Sequence, residues 1–322
     1  MRICIYGAGA MGVSFGALLQ QTMSVPIDFV TRNVLRVKAL NERGAELISG
    51  NTKVVVPVRA ILPEQMSGAY DIVFLATKQR GNTQTAQFLK QYVADDGALV
   101  TLQNGFPEPE LADIIGENRV YGCTLSWGAE AADTGKTLIT SDAGFYVGLG
   151  AYGKGSRLAE IGALLSPAFK LTVGNLYEMR FAKLAINSSF STLSTISGLP
   201  FGVIAKKYRK YAVGLIREAF AVARAYGCQK LPLNGHNLFR VLTFGGGILL
   251  SKAMKRYRDT RSGMLKDLAS GRRCDIDFIS GVIVRCGEKK AIQTPLTARA
   301  VELVHDIENG LAEIAPETIS LM

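Results

Sequence analysis

The sequence predicts two domains, a doubly wound α/β domain followed by an all-helical domain. A glycine-rich stretch, GAGAMG, follows a short apolar segment at the N-terminus, and strand-like segments then alternate with helical patterns. That alternation is typical of a parallel sheet covered by helices. After Asn175 the glycine density falls and apolar residues recur with helical spacing. We therefore place the domain boundary near residue 174, which gives domains 1–174 and 175–322.

The first domain contains elements of both kinds in alternation. Arg2–Tyr6 predicts a short buried strand, Val13–Met23 a helix after the glycines, and Ile27–Thr31 a second strand. The uninterrupted apolar segment Asp71–Ala76 is typical of a strand buried on both faces. The other elements predicted up to residue 102 are a hairpin of Ala45–Ile48 and Lys53–Val58, a helix over Thr83–Tyr92 and a strand over Ala98–Leu102.

Extended segments follow between Val120 and Gly150, namely VYGCTLSWGA, KTLIT and GFYVGLG. We expect them to form a mostly antiparallel extension of the sheet, followed by a helix over Ser156–Leu165 and a strand over Lys170–Val173. Gly227 falls where a helix C-cap is expected. The helices predicted in the second domain span 176–194, 202–227, 234–253, 274–287 and 296–313.

Composition indicates a globular protein with a preference for anions. The 322 residues are 48% hydrophobic and 20% charged, with a net charge of +10 but no dense basic tract. A phosphorylated cofactor and an acidic substrate explain this charge better than nucleic acid does. The longest charge-free run, Leu184–Ala205, contains many polar residues and Pro200, so we expect no membrane span.

The cysteines and histidines point away from metal or disulfide frameworks. The five cysteines are scattered without CxxC spacing, which is typical of free thiols in a reducing compartment, and we expect a cytoplasmic enzyme. His236 and His305 lack acidic partners at metal spacing, so we expect no metal. A helical second domain could form a homodimer surface, although nothing in the sequence requires one.

The glycine-rich loop predicts a dinucleotide site. In the GxGxxG pattern Gly7 permits a tight turn, Gly9 lets backbone amides approach a diphosphate, and Gly12 permits close helix–strand packing. The helix N-terminus then faces the negative charge. The residues predicted to bind the cofactor here are Gly7, Ala8, Gly9, Ala10, Met11 and Gly12.

The end of the second strand favours NADP(H) over NAD. An acidic residue at that end would hold a ribose 2′-hydroxyl, but Asp28 lies too early and the strand ends in Thr31-Arg32. A hydroxyl and a guanidinium suit a 2′-phosphate, and Lys78 could add a second positive charge. The alternative is that Arg32 and Lys78 are solvated loop cations.

Polar residues in the second domain suggest a catalytic group. In FAKLAINSSFS, Lys183, Asn187 and Ser191 are spaced i, i+4 and i+8 on a predicted helix, so they line one face. A lysine in a domain crevice has a tunable pKa and could protonate a ketone oxygen as hydride arrives at the carbon. In the first domain, Gln103-Asn104-Gly105 directly follows the strand ALVTL, at the edge where ligands bind, although Asn104-Gly105 is also a good turn dipeptide.

In order along the chain, these landmarks resemble the ketopantoate reductases. The resemblance covers essentially the whole chain and rests on GAGAMG, Lys78 in LATK, Asn104-Gly105, K-x-x-x-N at 183–187, S-x-M-L-x-D-x-x-x-G-R at 262–272 and Pro295. It implies a Rossmann domain with a helical domain like the C-terminal domain of 6-phosphogluconate dehydrogenase. It also implies NADPH-dependent reduction of ketopantoate to pantoate, on the route to pantothenate.

The resemblance also implies roles for individual residues. Lys183 would be the general acid, and Asn104 and Asn187 would position substrate and nicotinamide. Asp275 in CDID takes the place of the family's substrate-binding glutamate and is one methylene shorter. The residues expected to bind substrate are Lys183, Asn187, Ser191, Ser262 and Asp275.

The departures from the family pattern fall on the substrate side. Ser191 replaces an asparagine, Gly263 a serine and Ser280 an asparagine. Loss of buried hydrogen-bond partners changes discrimination by about 1–3 kcal/mol each. Two alternatives therefore stay open. One is a related two-domain dehydrogenase with a different substrate, of the opine or glycerol-3-phosphate type, and the other is a non-catalytic NADPH-binding sensor.

Overall fold

The computed structural model describes residues 1–140, 144–233, 236–240 and 257–322. The chain divides into two compact units, which we describe separately. The sheet unit comprises Met1–Gln103 and Pro107–Leu176. The helical unit comprises Asn104–Phe106 and Tyr177–Met322.

The sheet unit alternates strands and helices as expected. Its described strands are β1 (Ile3–Tyr6), β2 (Asp28–Val30), β3 (Ala45–Ser49), β4 (Thr52–Val56), β5 (Arg59–Ile61), β6 (Tyr70–Leu75), β7 (Val93–Thr101), β8 (Val120–Leu125), β9 (Ala129–Asp133), β10 (Lys136–Ile139), β11 (Tyr146–Ala151) and β12 (Lys170–Val173). Its described helices are α1 (Ala10–Gln20), α2 (Val34–Arg43), α3 (Asn82–Lys90), α4 (Glu108–Ile115) and α5 (Leu158–Leu165). Of these, α2, α4, β5 and β9 were not predicted.

The main sheet has the described strand order β12-β11-β8-β7-β6-β1-β2-β5. The six adjacent strands are parallel to one another, namely β8, β7, β6, β1, β2 and β5. Strand β11 is antiparallel to β8, and β12 is parallel to β11. The chain moves outward from β1 in both directions, to β2 on one side and to β6 on the other. A doubly wound sheet binds its ligand at such a switch point, beyond the carboxyl ends of the strands.

Side chains alternate between two cores along the central strand β1. Ile3 and Ile5 join a core with Phe29, Phe74 and apolar residues of α1 and α5. Cys4 and Tyr6 join a second core that includes residues of α3 and α4. Because both faces are covered, the central strands are apolar throughout, which explains the uninterrupted DIVFLA segment.

A second, smaller sheet corrects one prediction. Strands β8 and β11 do extend the main sheet, but the KTLIT strand, β10, pairs in parallel with β3 instead. The small sheet has the order β4-β3-β10-β9 and contacts α1 through β3, β9 and β10. Leu47 and Ile139 contribute its buried side to the core around α1. The reason is that α1 is apolar almost all round and must be covered on the face that the main sheet leaves open.

The helical unit packs around one apolar core. Its described helices are α6 (Leu176–Ile186), α7 (Thr192–Ser197), α8 (Phe201–Lys207), α9 (Arg209–Ala225), α10 (Gly263–Ala269), α11 (Ile276–Lys289) and α12 (Pro295–Glu308). A two-stranded ribbon pairs β13 (Pro232–Leu233) with β14 (His236–Asn237). Of the helix predicted over 234–253, only residues 236–240 are described. The predicted helix start is wrong there, because His236–Asn237 form β14, and residues 238–240 are helical. Together the two units confirm the predicted fold class.

The predicted helix over 176–194 is interrupted. Residues Asn187–Ser191 form a π turn between α6 and α7, in which Thr192 N–H donates to the carbonyl of Asn187. A π turn contains one residue more than the corresponding α turn and is often found at functional sites. No helix in the described ranges is both long and apolar enough to cross a membrane.

Candidate functional site

The glycine-rich loop has a backbone that larger residues could not adopt. Gly7 has φ +104°, and a Cβ there would lie 2.6 Å from Thr77 N. A Cβ on Gly12 would overlap the carbonyl oxygen of Gly7. Gly9 begins α1, where no side chain of the described chain caps the helix and the first turn contains no acidic residue. This helix start therefore has backbone N–H groups and a positive dipole end suited to a diphosphate.

The loop is fixed to the end of β2. Both Gly7 N–H and Ala8 N–H donate to the carbonyl of Val30, at 2.9 Å each. Thr31 and Arg32 are the next residues after Val30. The residues predicted to bind the 2′-phosphate therefore begin at the point where the chain contacts the glycine-rich loop. Arg32 is exposed and contacts the hydroxyl of Tyr6. Burial raises the pKa of Tyr6, and the Arg32 guanidinium partly opposes that shift.

The side chain of Asp28 makes structural contacts within the main sheet. Its buried carboxylate accepts from the Tyr70 hydroxyl at 2.7 Å and pairs with Arg59 at 3.1 Å. Burial, and then the hydrogen bond to Asp28, raise the pKa of Tyr70. Asp28 is thus held by the neighbouring strands, which supports the interpretation that it is not a ribose-binding acid.

Arg36 is a neighbour of the loop that sequence reasoning missed. It lies in the first turn of α2, where Asn33 Oδ1 accepts its backbone N–H at 3.0 Å. Its Nη1 donates to the carbonyl of Ala8 at 3.1 Å. The position four residues after Arg32 was the available signal, but only the folded loop shows this contact.

An amide network holds the carboxyl ends of β6 and β7 together. Gln103 Nε2 donates to the Thr77 carbonyl at 2.9 Å and to Asn82 Oδ1 at 2.8 Å, and Asn82 Nδ2 donates back to Gln103 Oε1 at 3.3 Å. Gln103 and Asn82 are buried, whereas Lys78, next to Thr77, is exposed. The network fixes the chain that leads into Lys78.

Asn104 belongs to the helical unit together with the following turn. Gly105 has φ +82°, and the ring of Phe106 packs on Tyr177 and Phe181 at 5.1 and 6.3 Å between centroids. Asn104 itself is exposed. Because Phe181 is in the same helix as Lys183, the aromatic contacts bring the Asn104 turn to α6.

The helix from α6 through the π turn has one accessible stripe. Between residues 178 and 197 every residue is buried except Lys183, Ile186, Asn187 and Ser191. The predicted set Lys183, Asn187 and Ser191 is therefore brought together on one partly exposed line. In an α-helix residues eight apart drift around the axis, and the extra residue of the π turn reduces that drift between Lys183 and Ser191.

The environment of Lys183 changes its acidity. Burial, followed by the positive charge of Arg180, lowers its pKa from 10.5 to about 7. Arg180 is itself among the largest fully buried side chains. A lysine with such a pKa holds and releases a proton at neutral pH, as a general acid must.

Hydroxyl groups supply hydrogen bonds in and around the π turn. Ser280 Oγ lies 2.7 Å from Thr192 Oγ1 and donates to the Ser188 carbonyl at 3.4 Å. Thr195 Oγ1 donates to the Ser191 carbonyl at 2.7 Å. Ser280 is fully buried, so this departure from the family pattern lies behind the accessible stripe.

Ser262 and Asp275 are not brought into the stripe itself. Ser262 is buried, and its hydroxyl caps α10 by accepting from Met264 N–H at 3.2 Å. Asp275 is half-buried at the start of α11. Their contacts with substrate stay predictions.

His305 has acidic neighbours, contrary to the expectation from sequence spacing. Its Nε2 lies 2.9 Å from Asp277 Oδ1 and its Nδ1 lies 3.2 Å from Glu308 Oε2. Glu308 Oε1 in turn accepts from Cys274 N–H at 2.7 Å, which joins α12 to the start of α11. Across the ranges the structure describes, no group of three side chains suited to a metal occurs.

Comparison with known proteins identifies the family. A sequence profile described as "Ketopantoate reductase PanE/ApbA" matches residues 3–151, and the profile of its C-terminal part matches residues 175–308. The chain belongs to the ketopantoate reductase family. Ketopantoate reductases are oxidoreductases that act on CH–OH groups with a nicotinamide cofactor, and the chain is an enzyme of this class.

Individual relatives resemble the chain over nearly its full length. The 2-dehydropantoate 2-reductase of Archaeoglobus fulgidus is 28% identical over 317 residues, 96% of this chain and 99% of the relative. The 2-dehydropantoate 2-reductase of Pyrococcus horikoshii is 26% identical, over 92% of this chain and 94% of the relative. A crystal structure of 2-dehydropantoate 2-reductase from Geobacter metallireducens has a TM-score of 0.82 at 25% identity, over 95% of this chain and 99% of that chain.

One solved structure names a different activity. The ternary structure of D-mandelate dehydrogenase with NADH and anilino(oxo)acetate has a TM-score of 0.81 at 21% identity, covering 97% of this chain and 99% of that chain. This likeness is one of fold. It establishes that the ketopantoate reductase fold also occurs in an enzyme named for another substrate.

Proposed function

We propose that the chain reduces the ketone of a small branched 2-keto acid with NADPH, ketopantoate (2-dehydropantoate) being the preferred substrate, and that Lys183 is the general acid. The observation that carries this proposal is the accessible stripe of Lys183, Asn187 and Ser191 on an otherwise buried helix. A buried helix does not need a lysine for its packing. A lysine whose pKa is lowered to about 7 suits proton transfer at neutral pH.

The proton step follows from the position of Lys183. When bound, the reduced nicotinamide supplies a hydride to the ketone carbon. The ammonium group of Lys183 hydrogen-bonds to the ketone oxygen and donates a proton as negative charge develops there. The neutral amine that remains is stabilised by burial and by Arg180, and it regains a proton from water because the side chain is partly accessible.

Asn187 and Asn104 complete the proposed site. Asn187 lies one helical turn from Lys183 on the same accessible stripe, where its amide can hold the keto acid or orient the lysine. Asn104 is on the turn that Phe106 packs against α6. Ser191, Ser262 and Asp275 are the further residues proposed to contact substrate.

On the cofactor side we propose NADP(H), held by the loop Gly7–Gly12 and by the cations Arg32 and Lys78. The exposed guanidinium of Arg32 after β2 and the exposed ammonium of Lys78 after β6 support binding of a 2′-phosphate. The Asp28 carboxylate contacts Tyr70 and Arg59, which argues against a role in binding the ribose of NAD. The five cysteines are free thiols, which supports a reducing compartment such as the cytoplasm as the location.

A different 2-keto acid is the second candidate substrate. At two positions where the family has a polar side chain, the structure shows what the residue of this chain does instead. Gly263 contributes no side chain, and among the described residues no atom lies within 4 Å of the place a Cβ would take there. The hydroxyl of Ser280 is used inside the helical unit. Both changes support a site that accepts a less polar keto acid than ketopantoate.

The test is NADPH oxidation with a panel containing ketopantoate, an unbranched aliphatic 2-keto acid and an aromatic 2-keto acid. We expect turnover of ketopantoate, and a fall in kcat of about 100-fold or more in Lys183→Ala. The matched control is Lys210→Ala, which removes an exposed lysine of the same unit and should leave kcat unchanged. Ketopantoate turnover intact in Lys183→Ala would disprove the mechanism. Tight NADPH binding without turnover of any keto acid would favour the sensor.

A further inference from the structure

We propose that Arg36 is a second arm of the 2′-phosphate site, acting with Arg32 while it is tethered to the glycine-rich loop. This inference rests on the proposed use of NADPH. It concerns a residue in α2 that lies outside the glycine-rich motif and outside the set of cations predicted from sequence.

The first argument is position. The chain following β2 reads the 2′-position of the adenosine ribose in a doubly wound fold. Arg32 is the second residue after that strand, and Arg36 follows four residues later, in the first turn of α2. Asn33 caps α2 by accepting from Arg36 N–H at 3.0 Å, so the cap fixes where the Arg36 side chain departs.

The second argument is the tether. Arg36 Nη1 donates to the Ala8 carbonyl at 3.1 Å and lies 4.0 Å from the place of a Cβ on Gly9. The Ala8 N–H in turn is held by the Val30 carbonyl, at the end of β2. The Arg36 side chain thus lies beside Gly9, the second glycine of the motif. The loop backbone that it contacts is hydrogen-bonded to β2, the strand that precedes Arg32.

The third argument is charge. A guanidinium has five N–H donors in a fixed fork, and the Ala8 carbonyl uses one of them. In the part of the chain that the structure describes, Arg36 has no ion pair. Lys136 and Asp133, which line the same shallow depression, face each other at 3.9 Å. A phosphate monoester carries nearly two negative charges and three acceptor oxygens, which two arginines can share. We therefore assign the uncompensated donors of Arg36 to the 2′-phosphate.

The experiment measures the dissociation constants of NADPH and NADH for the full chain by nucleotide fluorescence. In Arg36→Ala we expect the NADPH constant to rise about tenfold or more, and the NADH constant by less than about threefold. For Arg36→Lys the dissociation constant of NADPH should lie between those of wild type and Arg36→Ala, because lysine keeps the positive charge and loses the forked guanidinium donors. The matched control is Arg43→Ala, which removes an arginine of the same helix that also donates to a backbone carbonyl, that of Thr134.

The outcomes separate this inference from the function on which it rests. An equal loss for NADPH and NADH would show that Arg36 only holds the loop, and no loss for either would show that it has no role in binding. Both results overturn the inference and leave the proposed function intact. A wild-type chain that binds neither nucleotide, or that prefers NADH, would overturn the proposed cofactor itself. Thermal unfolding of each variant without nucleotide checks that the fold is retained.

Discussion

The hydroxyl oxygens of Ser280 and Thr192 lie 2.7 Å apart, at the point where α11 meets the end of the π turn. Both residues are fully buried, and Ser280 also reaches the Ser188 carbonyl. Behind the accessible stripe, therefore, the widened turn has a polar support that comes from a different helix. Buried hydroxyl pairs of this kind are costly to break on one side only.

Ser280→Ala should destabilise the protein by about 1–3 kcal/mol, because it leaves the Thr192 hydroxyl without its buried partner. Urea unfolding followed by circular dichroism measures the change. The control is Ser270→Ala, which removes an exposed hydroxyl bonded to the Lys266 carbonyl and should cost less than about 0.5 kcal/mol. Equal stabilities for the two variants would show that the hydroxyl pair contributes nothing.

The rate of keto-acid reduction should fall as the pH rises through about 7, because only the protonated form of Lys183 can donate. Well above that pH we expect kcat to drop about tenfold per pH unit. Steady-state rates at saturating NADPH measure the profile. The residual activity of Lys183→Gln should lack this limb, and a wild-type profile that stays flat through neutral pH would contradict the assignment.

The same lysine should make stability depend on pH. Its pKa is about 7 in the folded protein and has the ordinary value of 10.5 in the unfolded chain, so between these values the unfolded chain binds more protons. Stability from this group therefore rises with pH across that window and is lost as the pH falls towards 7. Urea unfolding at a series of pH values should give a smaller slope in Lys183→Met than in wild type. Parallel curves for the two proteins would argue against the lowered pKa.

Gly12→Ala and Gly9→Ala should have opposite outcomes for the fold. A Cβ on Gly12 overlaps the Gly7 carbonyl, so this variant must move the loop, and we expect loss of nucleotide binding together with lower thermal stability. At Gly9 the backbone has φ −77° and the nearest atom, Arg36 Nη1, is 4.0 Å away, so the unliganded fold should tolerate alanine. Thermal unfolding distinguishes the two variants, and NADPH titration measures the loss of binding in Gly12→Ala. A stable Gly12→Ala that binds normally would refute the packing argument.

Asp28→Asn should weaken the fold without changing cofactor preference. The substitution removes a buried carboxylate that accepts from Tyr70 and pairs with Arg59, which we expect to cost about 1–3 kcal/mol. The ratio of NADPH to NADH affinity should stay as in wild type. Asp95→Asn, at an exposed position in β7, is the control for stability. A shift of preference in Asp28→Asn would mean that Asp28 does contact the ribose.

The sequence by itself determined the periodic features and the local chemistry. Apolar segments with period two or without interruption, glycines at GxGxxG spacing and the change to helical spacing after Asn175 depend only on neighbouring residues. They sufficed for the doubly wound sheet, the helical second half and the family resemblance that the profiles confirm. Lys183, Asn187 and Ser191 were selected for the same reason, since spacing along one helix is a local property.

Tertiary structure decided the features that depend on distant partners. Strand β10 pairs with β3 because the apolar α1 needs a cover, and no local pattern records that demand. Arg36 donates to Ala8 in a loop that hydrogen bonds hold to Val30, and the π turn is supported by Ser280, from a helix far along the chain. Burial likewise belongs to the folded protein, and burial is the main cause that brings the pKa of Lys183 to about 7.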